Sequence, residues 1–153
     1  MVLVTFAVVV LRYVFAIGWV ALQESYVWMH GVVFMVGAGY TLLHNGHVRV
    51  DIFYRPASVR YKAVIDIIGA IFLLLPMVVL VFVVGIDYVA SSWALLEASR
   101  EAGGLPGLYL LKSIILVFCV LTAVQGLSLA ARSALILLGH PEYIAEAEAA
   151  AKI

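Results

Sequence analysis

The chain has 153 residues, of which 66% are hydrophobic and only 12% are charged, and its mean hydropathy is +1.16. A soluble globular domain of this length needs a more polar surface, so the composition excludes that class and predicts an integral membrane protein. Nine basic and nine acidic residues give a net charge of zero, a balance that does not favour nucleic acid or an acidic polymer as partner.

The N-terminal sequence and the single cysteine say little about processing or redox compartment. Met1 is followed at once by apolar residues without a basic segment, so we expect no cleaved signal peptide. Cys119 lies inside an apolar run, where it is expected to be a small core residue, and it allows no disulfide within the chain.

The first apolar segment allows two interpretations. Residues 2–22 could form one span, which would place Arg12 near the bilayer centre at a cost of about 2.5–3.5 kcal/mol. Alternatively, Arg12 marks the aqueous end of a shorter helix, and the residues after it form an interfacial segment anchored by Tyr13 and Trp19. That helix would fall short of the roughly 20 residues a span needs, which favours a longer natural chain or shielding by a partner.

Three further apolar runs are each long enough to cross a bilayer. They are predicted at residues 26–43, 63–86 and 108–131, separated by a polar break at 23–25, a loop at 44–62 and a connection at 87–107. The predicted fold is therefore an all-α integral membrane protein with about four transmembrane helices and a short interfacial segment after the first. Residues 1–138 form one membrane domain, and the Ala/Glu-rich residues 139–153 form a solvated helical tail.

The distribution of basic residues predicts the orientation. The 44–62 loop holds four basic residues, whereas the 87–107 connection holds only Arg100. The positive-inside rule therefore places the loop in the cytoplasm and the connection on the periplasmic side. With four spans, both termini lie in the cytoplasm.

The sequence does not favour enzymatic chemistry or a cofactor site. His44 and His47 are three residues apart and Asp51 follows, but Gly46 interrupts the local helix and no cysteine or second carboxylate completes a metal site. Only His30 lies near a span interior, which argues against haem. The serines lie at span ends or in loops, away from a plausible histidine and carboxylate pair. We therefore predict a non-enzymatic protein without a catalytic residue, metal or cofactor.

Transport by this chain alone is also disfavoured. A free-standing transporter needs ionisable or unwound segments near the midplane, but most charged residues fall at span edges and only Arg12 could lie deep. The sequence therefore favours a subunit of a larger membrane complex. A free-standing small membrane transporter, or an adapter of another membrane complex, is the alternative.

Several short motifs carry a family resemblance. They are Arg12-Tyr13-Val14-Phe15, Trp19 with Gln23-Glu24, Gly46-His47-Val48-Arg49-Val50-Asp51, and Glu97-Ala98-Ser99 with Gly103-Gly104-Leu105-Pro106 and Lys112. Together they resemble the small membrane (Q, DctQ-like) subunit of tripartite ATP-independent periplasmic (TRAP) transporters. The run from Gly46 to Asp51, directly after an apolar helix, is the most specific. The last group resembles the branch named for mannitol or chloroaromatic compounds, and Ala16 stands where relatives frequently have Asn.

The resemblance implies a role and a set of partners. The small subunit pairs with a large membrane subunit, which carries the substrate and sodium sites and moves as an elevator. A periplasmic binding protein delivers the substrate, and membrane phospholipid surrounds the complex. The small subunit forms part of the stationary scaffold during sodium-coupled uptake of an organic acid. The expected location is the cytoplasmic (inner) membrane of a bacterium or archaeon, with sodium and substrate bound in the large subunit.

The resemblance and the positions of the charges suggest interface or structural residues. Arg12 and Glu24 are expected to form an ion pair that brackets the interfacial segment, with Trp19 as its membrane anchor; separate snorkelling charges are the alternative. His47, Arg49 and Asp51 are expected to fix the loop against headgroups or the large subunit, unless Arg49 is only a positive-inside anchor. The remaining candidates are Gln23, Tyr54, Pro106 and Lys112, the last close enough to the start of its span to snorkel.

Overall fold

The computed structural model describes residues 1–44, 46–47, 57–140 and 142–144. Throughout these residues the regular structure is helical, without strands. The helices are α1 (Val2–Tyr13), α2 (Val20–Leu43), α3 (Val59–Ile68), α4 (Leu75–Ala94) and α5 (Leu108–Leu137). A π-helical segment, Gly69–Leu74, joins α3 to α4 without interruption, so one helix runs over Val59–Ala94.

Three of these helices have the length and apolar composition of membrane spans. Within the described part of the chain they are Val20–Leu43, Val59–Ala94 and Leu108–Leu137, and α1 is a shorter apolar helix. The prediction of an all-α membrane protein is thus confirmed. The 12 residues of α1 extend for about 18 Å, which is less than the roughly 30 Å thickness of a hydrocarbon core.

The end of α1 corrects the prediction of a continuous segment over residues 2–22. The helix stops at Tyr13, and Ala16 adopts a left-handed backbone with φ 56°. The Ile17 N–H then bonds the Leu11 carbonyl at 2.9 Å and closes the turn. The alternative interpretation, a helix ending near Arg12, describes α1 better, although the last residues of its interfacial segment already belong to α2.

The start of α2 corrects a second expectation. Residues 23–25, predicted to be a polar break, are helical. The Gln23 N–H bonds the Trp19 carbonyl at 3.1 Å, and Ser25 Oγ donates to the Leu22 carbonyl at 2.7 Å. A helix tolerates these polar residues because its backbone groups are satisfied internally and the side chains find partners of their own.

The long helix Val59–Ala94 extends beyond the span predicted at residues 63–86. At its start, Ser58 acts as the N-cap and accepts a hydrogen bond from the Tyr61 N–H at 3.4 Å. At its end the helix continues to Ala94, which shortens the predicted 87–107 connection to residues 95–107. Most of the predicted tail lies outside the described residues, as do residues 45 and 48–56 of the 44–62 loop.

The chain divides into two compact units. The first comprises Met1–Ala38 with Phe82–Phe118, and the second comprises Gly39–Val81 with Cys119–Ile153. Within each, the buried residues are mostly small, and most large apolar side chains are exposed. In the second unit, the Leu74 side chain packs directly on Gly126. Small residues let helices approach closely, while exposed apolar side chains suit contact with lipid or another membrane chain.

Candidate functional site

The first unit contains a connected group of polar side chains around residues 95–107. It begins at the end of α4, where the Leu96 N–H bonds the Trp93 carbonyl at 3.1 Å and the Glu97 N–H bonds the Ser92 carbonyl at 3.0 Å. These two bonds form a Schellman motif, which requires a left-handed residue just beyond the helix. That residue is Leu96, with φ 44°, although glycine is usual there. The motif turns the chain back so that the Glu97 side chain faces the end of α4.

Glu97 binds groups from both neighbouring helices. Its carboxylate accepts a hydrogen bond from Ser92 Oγ of α4 at 2.7 Å and forms an ion pair with Lys112 Nζ of α5. The Lys112 and Glu97 side chains are only 13% and 22% exposed. Lys112 Nζ also lies 4.0 Å from the centre of the Tyr88 ring. The hydrogen bonds from Lys112 and then from Ser92 lower the pKa of Glu97 below its ordinary value, so this carboxylate stays ionised and acts as an anchor.

An aromatic contact fastens the end of α4 to the start of α5. Trp93 Nε1 donates to Ser113 Oγ at 2.8 Å, and Ser113 Oγ in turn donates to the Tyr109 carbonyl at 2.8 Å. The Trp93 and Tyr109 rings meet edge to face, with their centres 4.6 Å apart. This geometry is a favourable arrangement for aromatic pairs. These contacts hold the end of α4 next to the start of α5, and so they hold the two ends of the connection close together.

A second carboxylate holds the middle of the connection. Glu24 of α2 accepts hydrogen bonds from Ser99 Oγ and from the Leu105 N–H, the latter at 2.7 Å. Ser99 also bonds the Leu105 carbonyl through its N–H at 3.2 Å, which closes the loop on itself. A Cβ at Gly104 would lie 2.6 Å from Ser99 Cβ and 2.8 Å from Glu24 Oε2, so a larger residue would force the loop or Glu24 to move. Glu24 thus fixes a loop that follows it by about 75 residues in sequence.

The arrangement is suited to presenting a surface. The carboxylates of Glu24 and Glu97 both bind groups that hold the connection in place. The part of the chain that the structure describes contains no group of three His, Cys, Asp or Glu side chains able to hold a metal ion. The residues that the connection leaves exposed include Leu95, Leu96, Arg100, Glu101 and Pro106, here called the connection surface. Its backbone is held by hydrogen bonds and an ion pair to side chains of α2, α4 and α5.

Two of the predicted site residues contribute directly to this group, and a third lies within the connection. Glu24 and Lys112 bind the connection, and Pro106 lies exposed beside Leu105. The expected Arg12–Glu24 ion pair is corrected: Glu24 has other partners, and Arg12 lies exposed in the last turn of α1.

The other predicted residues lie apart from the connection or outside the described residues. Trp19 is exposed just before α2, and Gln23 is half-buried in that helix's first turn. His47 is exposed beyond the end of α2. Arg49, Asp51 and Tyr54 fall outside the described residues. Their predicted role in fixing the loop stays a prediction.

Sequence reasoning missed the part played by Glu97 and its partner Ser92. The sequence singled out Glu97 only within the motif Glu97-Ala98-Ser99, without a structural role. A signal was available: a carboxylate placed 15 residues before a lysine that begins an apolar helix, with a Gly/Pro turn between them. Such spacing allows the chain to fold back and pair the two charges.

The family comparison agrees with the motifs. Residues 1–135 match the family model described as "Tripartite ATP-independent periplasmic transporters, DctQ component". No match was found among curated proteins or among solved structures. The matched region includes every described helix up to the last turn of α5 and the whole of the connection.

Proposed function

Because the chain belongs to the DctQ component family of tripartite ATP-independent periplasmic transporters, we propose that it is the small permease subunit of such a transporter. The family match over residues 1–135 is the observation that carries this proposal. Membership establishes a small transporter component with membrane-spanning helices, which associates with other components of the system. The proposal adds a heterodimer with the large membrane subunit and a periplasmic protein that delivers the substrate.

The proposed mechanical role is that of a stationary scaffold. The small buried residues of each unit and the many exposed large apolar side chains support it, because they suit close helix packing inside and extensive membrane or protein contact outside. The charged side chains Glu24 and Lys112 lie near helix starts, where they hold the connection. In this proposal the large subunit binds sodium ions and substrate, and this chain supports it during transport.

The proposed orientation places both termini in the cytoplasm and the 95–107 connection in the periplasm. Arg60 and Lys62 at the start of the long helix, against Arg100 alone in the connection, support this assignment. Cysteine labelling tests it in intact cells with Cys119 replaced by Ser. A membrane-impermeant maleimide should label Ala98→Cys in the connection but leave Ala57→Cys, just before the long helix, unlabelled until the membrane is opened. The reverse pattern would contradict the proposed orientation.

The subunit role is tested by purification in mild detergent with a C-terminal tag, followed by mass spectrometry. The expected result is a nearly equimolar large membrane protein of many spans. Recovery of this chain alone, in a form that binds a solute, would instead support a free-standing transporter.

The purified complex then tests the transported solute and the ion coupling. Proteoliposomes that contain the complex and the binding protein should accumulate an organic acid when a sodium gradient is imposed. Accumulation that is independent of sodium would contradict the proposed coupling. The branch named for mannitol or chloroaromatic compounds stays a prediction, which competition by these compounds in the same assay would check.

A further inference from the structure

The middle of the long helix Val59–Ala94 has an unusual backbone. The π-helical segment Gly69–Leu74 ends with the Leu75 N–H bonded to the Ala70 carbonyl, five residues back. Pro76 follows immediately and has no N–H to donate. From Leu75 the chain is α-helical again, and the regular α-helical register pairs each N–H with the carbonyl four residues back, so that Val78 corresponds to Leu74.

Counting donors across this junction shows a deficit. The last carbonyl that accepts a π-type bond is that of Ala70, and the regular α-helical register begins with Leu74 as acceptor. Three carbonyls lie between them, those of Ile71, Phe72 and Leu73. Pro76 supplies no N–H, so only the Met77 N–H remains for all three. The helix therefore leaves two carbonyls without a backbone donor, where a proline in a regular α-helix would leave one. π-helical turns of this kind are frequent at functional sites.

These carbonyls lie on a surface that the second unit leaves open. The Met77 N–H reaches only the Phe72 or the Leu73 carbonyl, so Ile71 carries one of the two free carbonyls. A carbonyl points toward the residue five positions later in a π-helix and four positions later in an α-helix, which places the Ile71 and Phe72 carbonyls below Pro76 and that of Leu73 below Met77. Phe72 and Leu73 are 70% and 72% exposed, and Met77 and Leu80 are exposed as well. We call the surface formed by Phe72, Leu73, Pro76, Met77 and Leu80 the Pro76 face. The opposite side of the segment is closed, because Ala70 is buried and Leu74 packs on Gly126.

The Pro76 face lies at the depth where free carbonyls are least tolerated. Pro76 is at the middle of a helix of 36 residues, which is about 54 Å long, and the hydrocarbon core is about 30 Å thick. The centre of such a helix lies within hydrocarbon. Lipid tails cannot donate a hydrogen bond, so carbonyls freed in a membrane helix must be satisfied by neighbouring helices, side chains or water.

We propose that the Pro76 face is covered by a transmembrane helix of another protein that donates a hydroxyl, amide or indole hydrogen bond to the free carbonyls. A second copy of this chain fits poorly. A two-fold dimer on this face would bring the same patch of both copies together, and its side chains carry no hydrogen-bond donor. The donor therefore comes from a different chain. The inference rests on the proposed function for the identity of that chain, the large membrane subunit.

Photocrosslinking locates the occupant of the Pro76 face. A photoreactive amino acid replaces Leu73, and the membranes are irradiated before the tagged chain is purified. The expected product is a covalent adduct with the co-purifying large subunit. If the large subunit co-purifies but Leu73 links only to lipid or to a second copy of this chain, the proposal is overturned while the proposed function stands. If no large subunit co-purifies from unirradiated membranes, the proposed function itself fails.

A substitution tests the hydrogen bond. Pro76→Ala restores a backbone N–H, so the helix can bond one of its own free carbonyls. The hydrogen bond from the partner helix to that carbonyl then contributes less to the free energy of binding. One hydrogen bond between membrane helices contributes about 0.6–1.7 kcal/mol, so affinity for the large subunit in detergent should fall about 3- to 20-fold. The melting temperature of the isolated chain should be unchanged or higher.

Ile86→Val is the matched control, because Ile86 is an exposed apolar residue of the same helix outside the Pro76 face and the change leaves the backbone donors unchanged. It should bind the large subunit as the wild type does. Wild-type affinity of Pro76→Ala would overturn the hydrogen-bonding proposal. If Pro76→Ala lowers the melting temperature, the Leu73 crosslink decides the outcome alone.

Discussion

The helices α4 and α5 end in the same backbone motif but place different residues at its left-handed position. In α5 the Gly139 N–H bonds the Ile136 carbonyl at 3.1 Å and the His140 N–H bonds the Leu135 carbonyl at 3.2 Å, with Gly139 at φ 86°. The corresponding pair of bonds closes α4, but there the left-handed residue is Leu96. The two ends can therefore be compared directly.

The comparison shows that side chains support a strained turn at one end only. A left-handed backbone costs roughly 1–2 kcal/mol for a residue with a Cβ, and glycine avoids this cost. At α4 the residue after Leu96 is Glu97, whose carboxylate binds Ser92 and Lys112. These side-chain bonds hold the strained conformation. Strain retained in this way is characteristic of functional segments.

The largest effect is expected from removing the anchor at the α4 end. Glu97→Gln removes the ion pair with Lys112 and leaves that ammonium half-enclosed without its carboxylate. Unfolding by SDS titration in mixed micelles, followed by circular dichroism, should show a larger loss of stability than any substitution considered below. Glu101→Gln, at an exposed residue of the same connection, is the control and should leave stability unchanged.

The effect of Glu97→Gln should depend on pH in a defined direction. The folded pKa of Glu97 is lowered, so its stabilisation is fully present above the ordinary glutamate pKa of about 4.3. It is lost as the pH falls further, through the lowered value. The difference in the free energy of unfolding between the wild type and Glu97→Gln should therefore shrink progressively below about pH 5. A difference that is the same at pH 7 and at low pH would show that the charge is not responsible.

The next largest effect is expected at the tight contact inside the connection. Gly104→Ala would place a Cβ 2.6 Å from Ser99 Cβ and 2.8 Å from Glu24 Oε2, and either the loop or Glu24 must move. Overpacking of this kind costs about 1–3 kcal/mol. The same unfolding titration measures it. Gly18→Ala is the matched control, because a Cβ there meets no atom within 4 Å, and equal losses would contradict the close contact.

A smaller loss is expected at the end of α5. Gly139→Ala places a Cβ at a left-handed position, with an expected cost of about 1–2 kcal/mol. Gly139→Asn should lose less, because asparagine tolerates this backbone better than alanine does. If both variants were as stable as the wild type, the end of α5 would be frayed in solution.

The smallest expected effect is a gain rather than a loss of stability. Leu96→Gly relieves the left-handed strain, and we expect a gain of about 0.5–1 kcal/mol after the greater flexibility of glycine in the unfolded chain is subtracted. Leu95→Gly, one residue earlier, has no such strain to relieve and should cost up to about 1 kcal/mol. Unfolding of the two variants side by side checks the prediction. Losses of equal size would mean that Leu96 is not strained.

The candidate site could be predicted from the sequence only in part. Glu24, Pro106 and Lys112 were among the candidates, but the predicted partner of Glu24 was Arg12 and its observed partners are Ser99 and Leu105. Sequence position suggested Arg12 because both charges flank the first helix break. The observed partner Ser99 lies 75 residues away, and only the packing of distant segments brings it into reach.

The position of the helix ends shows the same limit. Hydropathy placed the later spans well but ended the third at residue 86, because Asp87, Ser91 and Ser92 read as a polar connection. In the structure they belong to α4, where Ser91 bonds its own helix and Ser92 binds Glu97. The same reasoning read residues 23–25 as a break. A polar side chain marks a helix end only when it has no partner within the helix or on a neighbouring segment.

The sequence by itself determined the membrane class, the approximate spans and the family. These properties depend on local composition and short motifs, since the transfer of each side chain into lipid is nearly independent of its distant neighbours. The tertiary structure alone decided which residues hold the connection, why Gly104 is glycine, and which face of the long helix keeps free carbonyls. These features depend on atoms from distant segments meeting within hydrogen-bonding or van der Waals distance, and on which surfaces the packed helices leave open.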